Sequence, residues 1–356
     1  LGLDLLRRLD PDAPKLAFSS LSVVGMASPL LAGADAATAA ALSDVLRISQ
    51  PAADHHAALS ALLGELDDVD RGWGFEWGAG FWHRPSLTVE PGWVDQVGPL
   101  YGVAPEPLDF QADGEAARTT LNAWVEDHTR CLIPEFYPPG YDFSRTVHVA
   151  IHAMGLEARW EEPFDAAFTS ERTFRRAGGA DVSAPFMRSE SFAGAVATAD
   201  GVSVLRLPYQ GADLAMYIVL PDAPTRPADL LDGLDAAALD AWVGLPARQG
   251  RIALSMPKWT TTNVHDLRPP LDALGYEPLV NAPLPAICDG CAMPDVVRQV
   301  VVVLVDEDGT RAAAATSGET NDSEPSWIEV DRPFLWLLRD DASGVVMWMG
   351  WVGDPT

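Results

Sequence analysis

The sequence predicts an α+β fold in which helices gather early and strands late. Three observations carry this. Leu- and Ala-rich runs with helical spacing fill the first 65 or so residues. From about residue 180, apolar residues alternate or run continuously over strand lengths. At the close of the chain, Phe334–Arg339 and Val345–Val352 flank the turn Asp340–Gly344 as the arms of a hairpin do.

Taken in order, Leu3–Leu9, Val23–Leu31, Ala36–Leu46 and Ala57–Leu66 read as helices punctuated by Gly and Pro. Residues 72–110 are rich in Trp and Gly with Pro breaks and read as strands and loops. Residues 114–129 return to helix, and Val147–Leu156 alternates as a strand does. Val202–Leu207 and Leu214–Leu220 read as strands, Pro227–Val243 and Leu267–Leu274 as helices. Val300–Val305 is an unbroken apolar run, which suits a strand buried on both faces. With no internal repeat and no linker in view, residues 1–356 read as a single domain.

The formal charge is −27, from 51 acidic and 24 basic residues. Such a surface repels phosphate backbones and anionic lipids, so neither nucleic acid nor membrane is expected as a partner. No run of 18 apolar residues is present to span a bilayer. No signal peptide is evident, and the chain begins abruptly inside an amphipathic segment. The compartment is therefore left open, with an extracellular setting preferred.

Three cysteines are too few for a disulfide scaffold. Cys288 and Cys291 have the spacing of half a zinc site, but no second pair accompanies them, so a local disulfide or two free thiols is expected before a metal. His148 and His152 are four apart in a strand-like run without a partnering glutamate and read as structural. Trp73, Trp77, Trp82 and Trp93 read as packing residues, with a carbohydrate-binding face on a secreted protein as the reading from another class.

One segment breaks the rules of a compact domain. Asp306–Ser326 has no large apolar residue over 21 positions, and a loop that long is functional or disordered. Its side chains sort by parity. Thr310, Ala312, Ala314, Thr316, Gly318 and Thr320 are small and uncharged, whereas the odd positions include Arg311 and Glu319. Were the segment to become a strand, one face would suit a buried sheet surface and the other would carry the charges.

Glu307-Asp-Gly309-Thr310-Arg-Ala312-Ala313-Ala314-Ala315-Thr316 resembles the hinge of the serpins, E-x-G-T-E-A-A-A-A-T, with Arg311 where Glu is usual. Further segments follow in the family's order. Phe18-Ser-Ser-Leu-Ser22 resembles F-S-P-x-S. Leu121-Asn-Ala-Trp-Val-Glu126, then Thr129 and Ile133, resembles N-x-W-V-E…T…I. Trp160 with Pro163-Phe164 resembles W-x-x-P-F. Leu207-Pro-Tyr209, Met216 and Val219-Leu-Pro221 resemble L-P-Y…M…V-L-P. Met256-Pro-Lys258-Trp259, Leu274-Gly275, Asp331-Arg-Pro-Phe334 and Met349-Gly350…Pro355 complete the series.

The resemblance implies three β-sheets, eight or nine helices and an exposed reactive-centre loop at about residues 306–326. It implies a protease inhibitor that acts as a suicide substrate: a serine protease, or a cysteine protease, cleaves the loop and forms an acyl-enzyme. The loop then inserts into the main sheet and traps the enzyme. No catalytic residue, cofactor or metal of its own is implied, and a monomer is expected. The alternative within the family is a carrier or storage protein without inhibitory action.

Counting along the loop from Glu307 or back from Pro333-Phe334 places the scissile bond at Ser323–Glu324 or Asp322–Ser323. The target is then elastase- or subtilisin-like, or specific for acidic residues. A trypsin-like target is excluded because the loop has no Lys or Arg after Arg311. At the sheet opening, Ser19, Ser22, His152, Trp160 and Gln299 occupy the family's shutter and breach positions. His152 replaces the usual Asn and Gln299 the usual His, which predicts a His152–Gln299 hydrogen bond between adjacent strands.

Overall fold

The structure is a computed structural model that describes residues 1–211, 213–247, 249–310 and 327–356. Helix α1 (Gly2–Leu6) buries Leu3, Leu5 and Leu6. Strand β1 (Lys15–Phe18) follows within a region expected to be helical; Pro11 and Pro14 break the helix there and reset the chain to extended backbone. Helices α2 (Ser20–Gly33) and α3 (Ala36–Leu46) begin at the side-chain caps Ser19 and Asp35, and α4 (Ala52–Leu66) follows.

Strand β2 (Gly74–His83) and the short β3 (Pro105–Pro107) lie in the Trp-rich stretch. Between them sits a helix that the Gly and Pro content concealed, α5 (Pro91–Tyr101). It starts on a proline at its first turn and buries Trp93, Val97 and Tyr101, each four apart. Helix α6 (Gly114–Asp127) leads by a long connection to β4 (His148–Arg159). The strand-dominated half contains β5 (Ser170–Phe174), β6 (Val182–Ala193), β7 (Ala195–Ala199), β8 (Val202–Pro208) and β9 (Leu214–Pro221). The helix expected over Pro227–Val243 is two pieces, α7 (Pro227–Leu231) and α8 (Ala236–Val243), because Asp235 starts a new cap. Then come β10 (Arg251–Pro257), β11 (Trp259–Asp266), α9 (Arg268–Asp272), β12 (Arg298–Val305) and β13 (Gly309–Thr310). Last come β14 (Trp327–Glu329), β15 (Phe334–Asp340) and β16 (Val346–Val352).

A six-stranded antiparallel sheet, β1-β16-β15-β9-β8-β7, forms the centre. Every residue of β9 is buried. A second sheet runs β14-β10-β6-β5, with β14 parallel to β10. The third sheet expected from the resemblance is parted into two ladders among the described residues. One is β13-β4-β2-β3 and the other is β11-β12. Residues 74–83 of β2 pair in full with 148–157 of β4, and β11 pairs with all of β12, but no ladder joins β4 to β12.

The seam between β4 and β12 is lined from both sides and holds two narrow cavities of about 30 and 40 Å³. Behind it stand Trp336, Leu338 and Trp348 of the central sheet. In front lie Val125, Thr129 and Ile133, from α6 and the turn after it. The apolar run of β12 is thus shared. Val301, Val303 and Val305 join the central core, while Val300 and half-buried Val302 face the α6 cluster.

The turn after α6 is pressed onto β4. Arg130 bridges Glu76 of β2 at 2.7 Å and Glu157 of β4 at 3.0 Å. A Cβ added at Gly155 would stand 2.6 Å from the Thr129 carbonyl carbon, so only glycine lets the two backbones meet. Gly155→Val should therefore lift this turn from the sheet and lower stability by about 1–3 kcal/mol. Urea titration checks this, with the midpoint falling at an unchanged slope.

Candidate functional site

At the upper end of the seam the chain leaves β12 and makes a tight turn over Asp306–Gly309. Asp306 and Gly309 exchange backbone hydrogen bonds across it (3.0 and 3.3 Å), and Asp306 Oδ1 accepts from Asp308 N. Gly309 and Thr310 then pair antiparallel with Arg159 and Ala158 at the upper end of β4. Gly309 has φ +143°, and a Cβ there would meet the Ala158 carbonyl oxygen at 2.3 Å, so this position requires glycine.

Trp160 anchors the turn. It is fully buried, its indole N–H donates to the Asp306 carbonyl (3.0 Å) and its backbone N–H to that of Asp308 (3.0 Å). Its ring stacks on Tyr209 at 4.4 Å between centroids and meets Phe164 and Phe192 edge-on. The Tyr209 hydroxyl lies 3.0 Å from Thr310 Oγ1. Thr310 is half-buried with its hydroxyl turned into this cluster.

Glu307 points the other way. Its carboxylate accepts from Thr169 Oγ1 (2.7 Å) and from Lys258 Nζ (3.1 Å). Burial pushes its pKa up, but the Thr169 and Lys258 contacts outweigh that and hold the carboxyl below its ordinary value. Glu307 is therefore charged and tied to β11's lead-in, while its carbonyl accepts from Phe164 N (2.8 Å). Tyr209 and Lys258 belong to segments already singled out in the sequence, although no role was assigned to them. Thr169 carries no sequence signal, because its contact is set only by tertiary packing.

Midway down the seam, Ser19 caps α2 by accepting from Ser22 N (3.1 Å) and donates its hydroxyl to the Met347 carbonyl (2.7 Å). Gln299 clasps the Ser19 backbone in both directions, accepting from its N–H (3.1 Å) and donating to its C=O (2.8 Å). Ser22 donates to the His152 carbonyl (3.2 Å). Ser19, Ser22, His152 and Gln299 line the same small cavity. The expected His152–Gln299 hydrogen bond is not formed. Both amide groups of Gln299 are satisfied by Ser19, and neither ring nitrogen of His152 has a partner. The His152 ring instead stacks on Trp77 (5.8 Å) and presses against Gly25 of α2.

Ala312, Ala313, Ala314, Ala315, Thr316, Asp322, Ser323 and Glu324 lie outside the described residues, as does Arg311. Among the described residues no three His, Cys, Asp or Glu side chains gather as metal ligands. His148 and His152 stand about 13 Å apart along one strand, too far to share an ion. Cys288 and Cys291 form a disulfide, and Cys131 is an exposed thiol. The tryptophans do not form a carbohydrate face. Trp73, Trp82 and Trp93 are buried, and the indole N–H groups of Trp73 and Trp93 are spent on the Leu66 and Pro29 carbonyls. No helix of the described residues is long and apolar enough to cross a membrane.

A family model described as Serpin (serine protease inhibitor) matches residues 1–355. Serpin-Z1B of Triticum aestivum is 30% identical over 365 aligned positions, which cover 96% of this chain and 90% of that protein. The native, stressed structure of Arabidopsis AtSerpin1 aligns with a TM-score of 0.85 at 27% identity, covering 99% of this chain and 95% of its own. Human thyroxine-binding globulin bound to thyroxine aligns with a TM-score of 0.88 at 21% identity, over 99% and 96% of the two chains. This last likeness is one of fold.

The seam's histidine makes the structure sensitive to acid. Burial lowers the pKa of His152 from 6.5 to about 3, so the folded protein keeps the ring neutral while the unfolded chain protonates below pH 6.5. The unfolded state binds more protons between those limits, so this stability is whole above pH 6.5 and is lost as pH falls toward 3. Between pH 7 and pH 5 the loss from His152 is about 2 kcal/mol. His152→Asn should flatten the pH dependence of unfolding by that amount. An unchanged slope would show that the ring is not held neutral.

Proposed function

Because this chain belongs to the serpin family, we propose that it is an inhibitory member, a single-use trap for a serine protease. Residues 1–356 act as one domain and work as a monomer on this reading. The protease's serine oxygen attacks the carbonyl of the scissile residue, Asp322 or Ser323. An ester forms, the peptide bond breaks, and the new amine leaves on the C-terminal segment. The acyl-linked loop then inserts between β4 and β12 and carries the protease with it. The chain supplies no catalytic group. It supplies a substrate loop and a sheet that accepts it.

The observation that carries this reading is the pairing of Gly309 and Thr310 with β4 at the head of a seam that no ladder closes. The loop's first two residues already lie where an inserted strand would begin. Below them, β4 from His148 to Glu157 pairs with β2 on one side and has no ladder on the other. Each residue added there makes ladder hydrogen bonds worth about 0.5–1.5 kcal/mol apiece net. The small even-numbered residues from Ala312 to Gly318 suit a strand whose inner face meets Trp336, Leu338 and Trp348.

The target is elastase- or subtilisin-like, or prefers acidic residues, since nothing basic follows Arg311 in the loop. Incubation with a panel of such proteases should give a complex that survives a denaturing gel. Cleavage of the loop without any complex would favour the carrier or storage alternative. Thr310→Arg should turn the inhibitor into a substrate. A charge at this inward position must be desolvated as the loop enters, and each 1.4 kcal/mol added to the insertion barrier slows trapping about tenfold while acyl-enzyme hydrolysis continues. The stoichiometry of inhibition should rise steeply for Thr310→Arg and stay put for Arg311→Glu. Equal trapping by Thr310→Arg and the unmutated chain would contradict the mechanism.

A further inference from the structure

The lower end of the parted sheet opens into a cleft of about 360 Å³, within the range of small-molecule sites and far larger than the seam cavities above it. One wall is aromatic. Phe136, Tyr137, Tyr141 and Phe143 follow α6, and their rings contact one another with centroids 4.7–5.0 Å apart. The facing wall is the chain that leads into β12, which leaves the Cys288–Cys291 bridge and ends at Arg298. The start of β4 contributes His148.

Several polar groups converge here with hydrogen-bonding capacity left over among the described residues. Tyr137 is 8% exposed, and its phenol makes no hydrogen bond among the described residues. Both ring nitrogens of His148 are buried and unpartnered. Arg298 spends its Nε on the Phe136 carbonyl (2.9 Å), and its guanidinium forms no ion pair among the described residues. Arg145, at the rim, forms none either. In a chain with 51 acidic and 24 basic residues, two guanidiniums on one cleft that form no ion pair among the described residues stand out. Both tyrosines feel the Arg298 charge, so it lies close to each of them.

Two guanidiniums and a phenol offer donors, and flat rings form the wall beside them. A carboxylate answers the guanidinium and the phenol, while an aromatic body answers Tyr141 and Phe143. Exposed Asp295 at the rim disfavours a second negative charge. We propose that this cleft binds a small monoanionic aromatic carboxylate, with Arg298 and Tyr137 holding the carboxylate and the tyrosine–phenylalanine wall holding the ring. The site does not depend on whether the chain inhibits a protease.

Calorimetric titration of the full chain with naphthalene-2-carboxylate tests this. The expected result is saturable binding at a single site, weakened about tenfold or more by Arg298→Gln and severalfold by Tyr137→Phe. The neutral naphthalene-2-carboxamide should bind about tenfold more weakly than the carboxylate. Thermal melts of the free variants establish that they are folded. Should Arg298→Gln not fold, Tyr137→Phe and the carboxamide decide. Absence of saturable heat at millimolar ligand overturns the site. Equal binding of carboxamide and carboxylate, or of the wild-type chain and both folded variants, overturns the assignment of an anion to Arg298 and Tyr137.

Discussion

The structure depends on one missing ladder. Backbone N–H and C=O groups are strong polar groups that folded proteins pair almost without exception. Here β4 and β12 face each other across a seam that no ladder closes below Ala158. The surroundings are built to hold that arrangement. Trp336 and Trp348 back the seam, the turn after α6 is laid over it through the Gly155–Thr129 contact, and Gln299 fixes β12 to the cap of α2. These contacts hold β4 and β12 in place without pairing their backbones. Among the described residues, only the turn at Asp306–Thr310 stitches them at the top.

The turn at Asp306–Thr310 is held by the residues around it. Trp160 and Glu307 pull on it from opposite sides, one through buried carbonyl contacts and the other through a charged pair with Lys258. Gly309 is the point at which the chain passes over β4, and no other residue fits there. On the proposed mechanism this cluster holds the first loop residues in register, so that insertion extends a strand already begun. Nucleating a new one is not required.

Much of this was legible in the sequence, because the informative signals were local. The even–odd sorting of Thr310 through Thr320 and the ordered segments around Trp160, Tyr209 and Lys258 need no tertiary knowledge to be noticed. What escaped was set by packing. The helix at Pro91–Tyr101 hid behind its Gly and Pro residues although Trp93, Val97 and Tyr101 kept helical spacing. The strand at Lys15–Phe18 follows two prolines and is paired by β16, a partner from the far end of the chain. The His152–Gln299 bond failed because spacing along the chain places two residues on neighbouring strands but cannot say which nearer group satisfies them first. Ser19 does so for Gln299, and Trp77 occupies the face of His152.

On the proposed mechanism, the seam between β4 and β12 is filled only when the cut loop enters it. Calorimetric unfolding of the chain before and after a single cut in residues 311–326 tests this most directly. If the cut loop inserts, roughly ten new ladder positions at about 0.5–1.5 kcal/mol each should raise the unfolding temperature by roughly 7–20 °C. An unfolding temperature that stays the same or falls after cleavage would contradict the account.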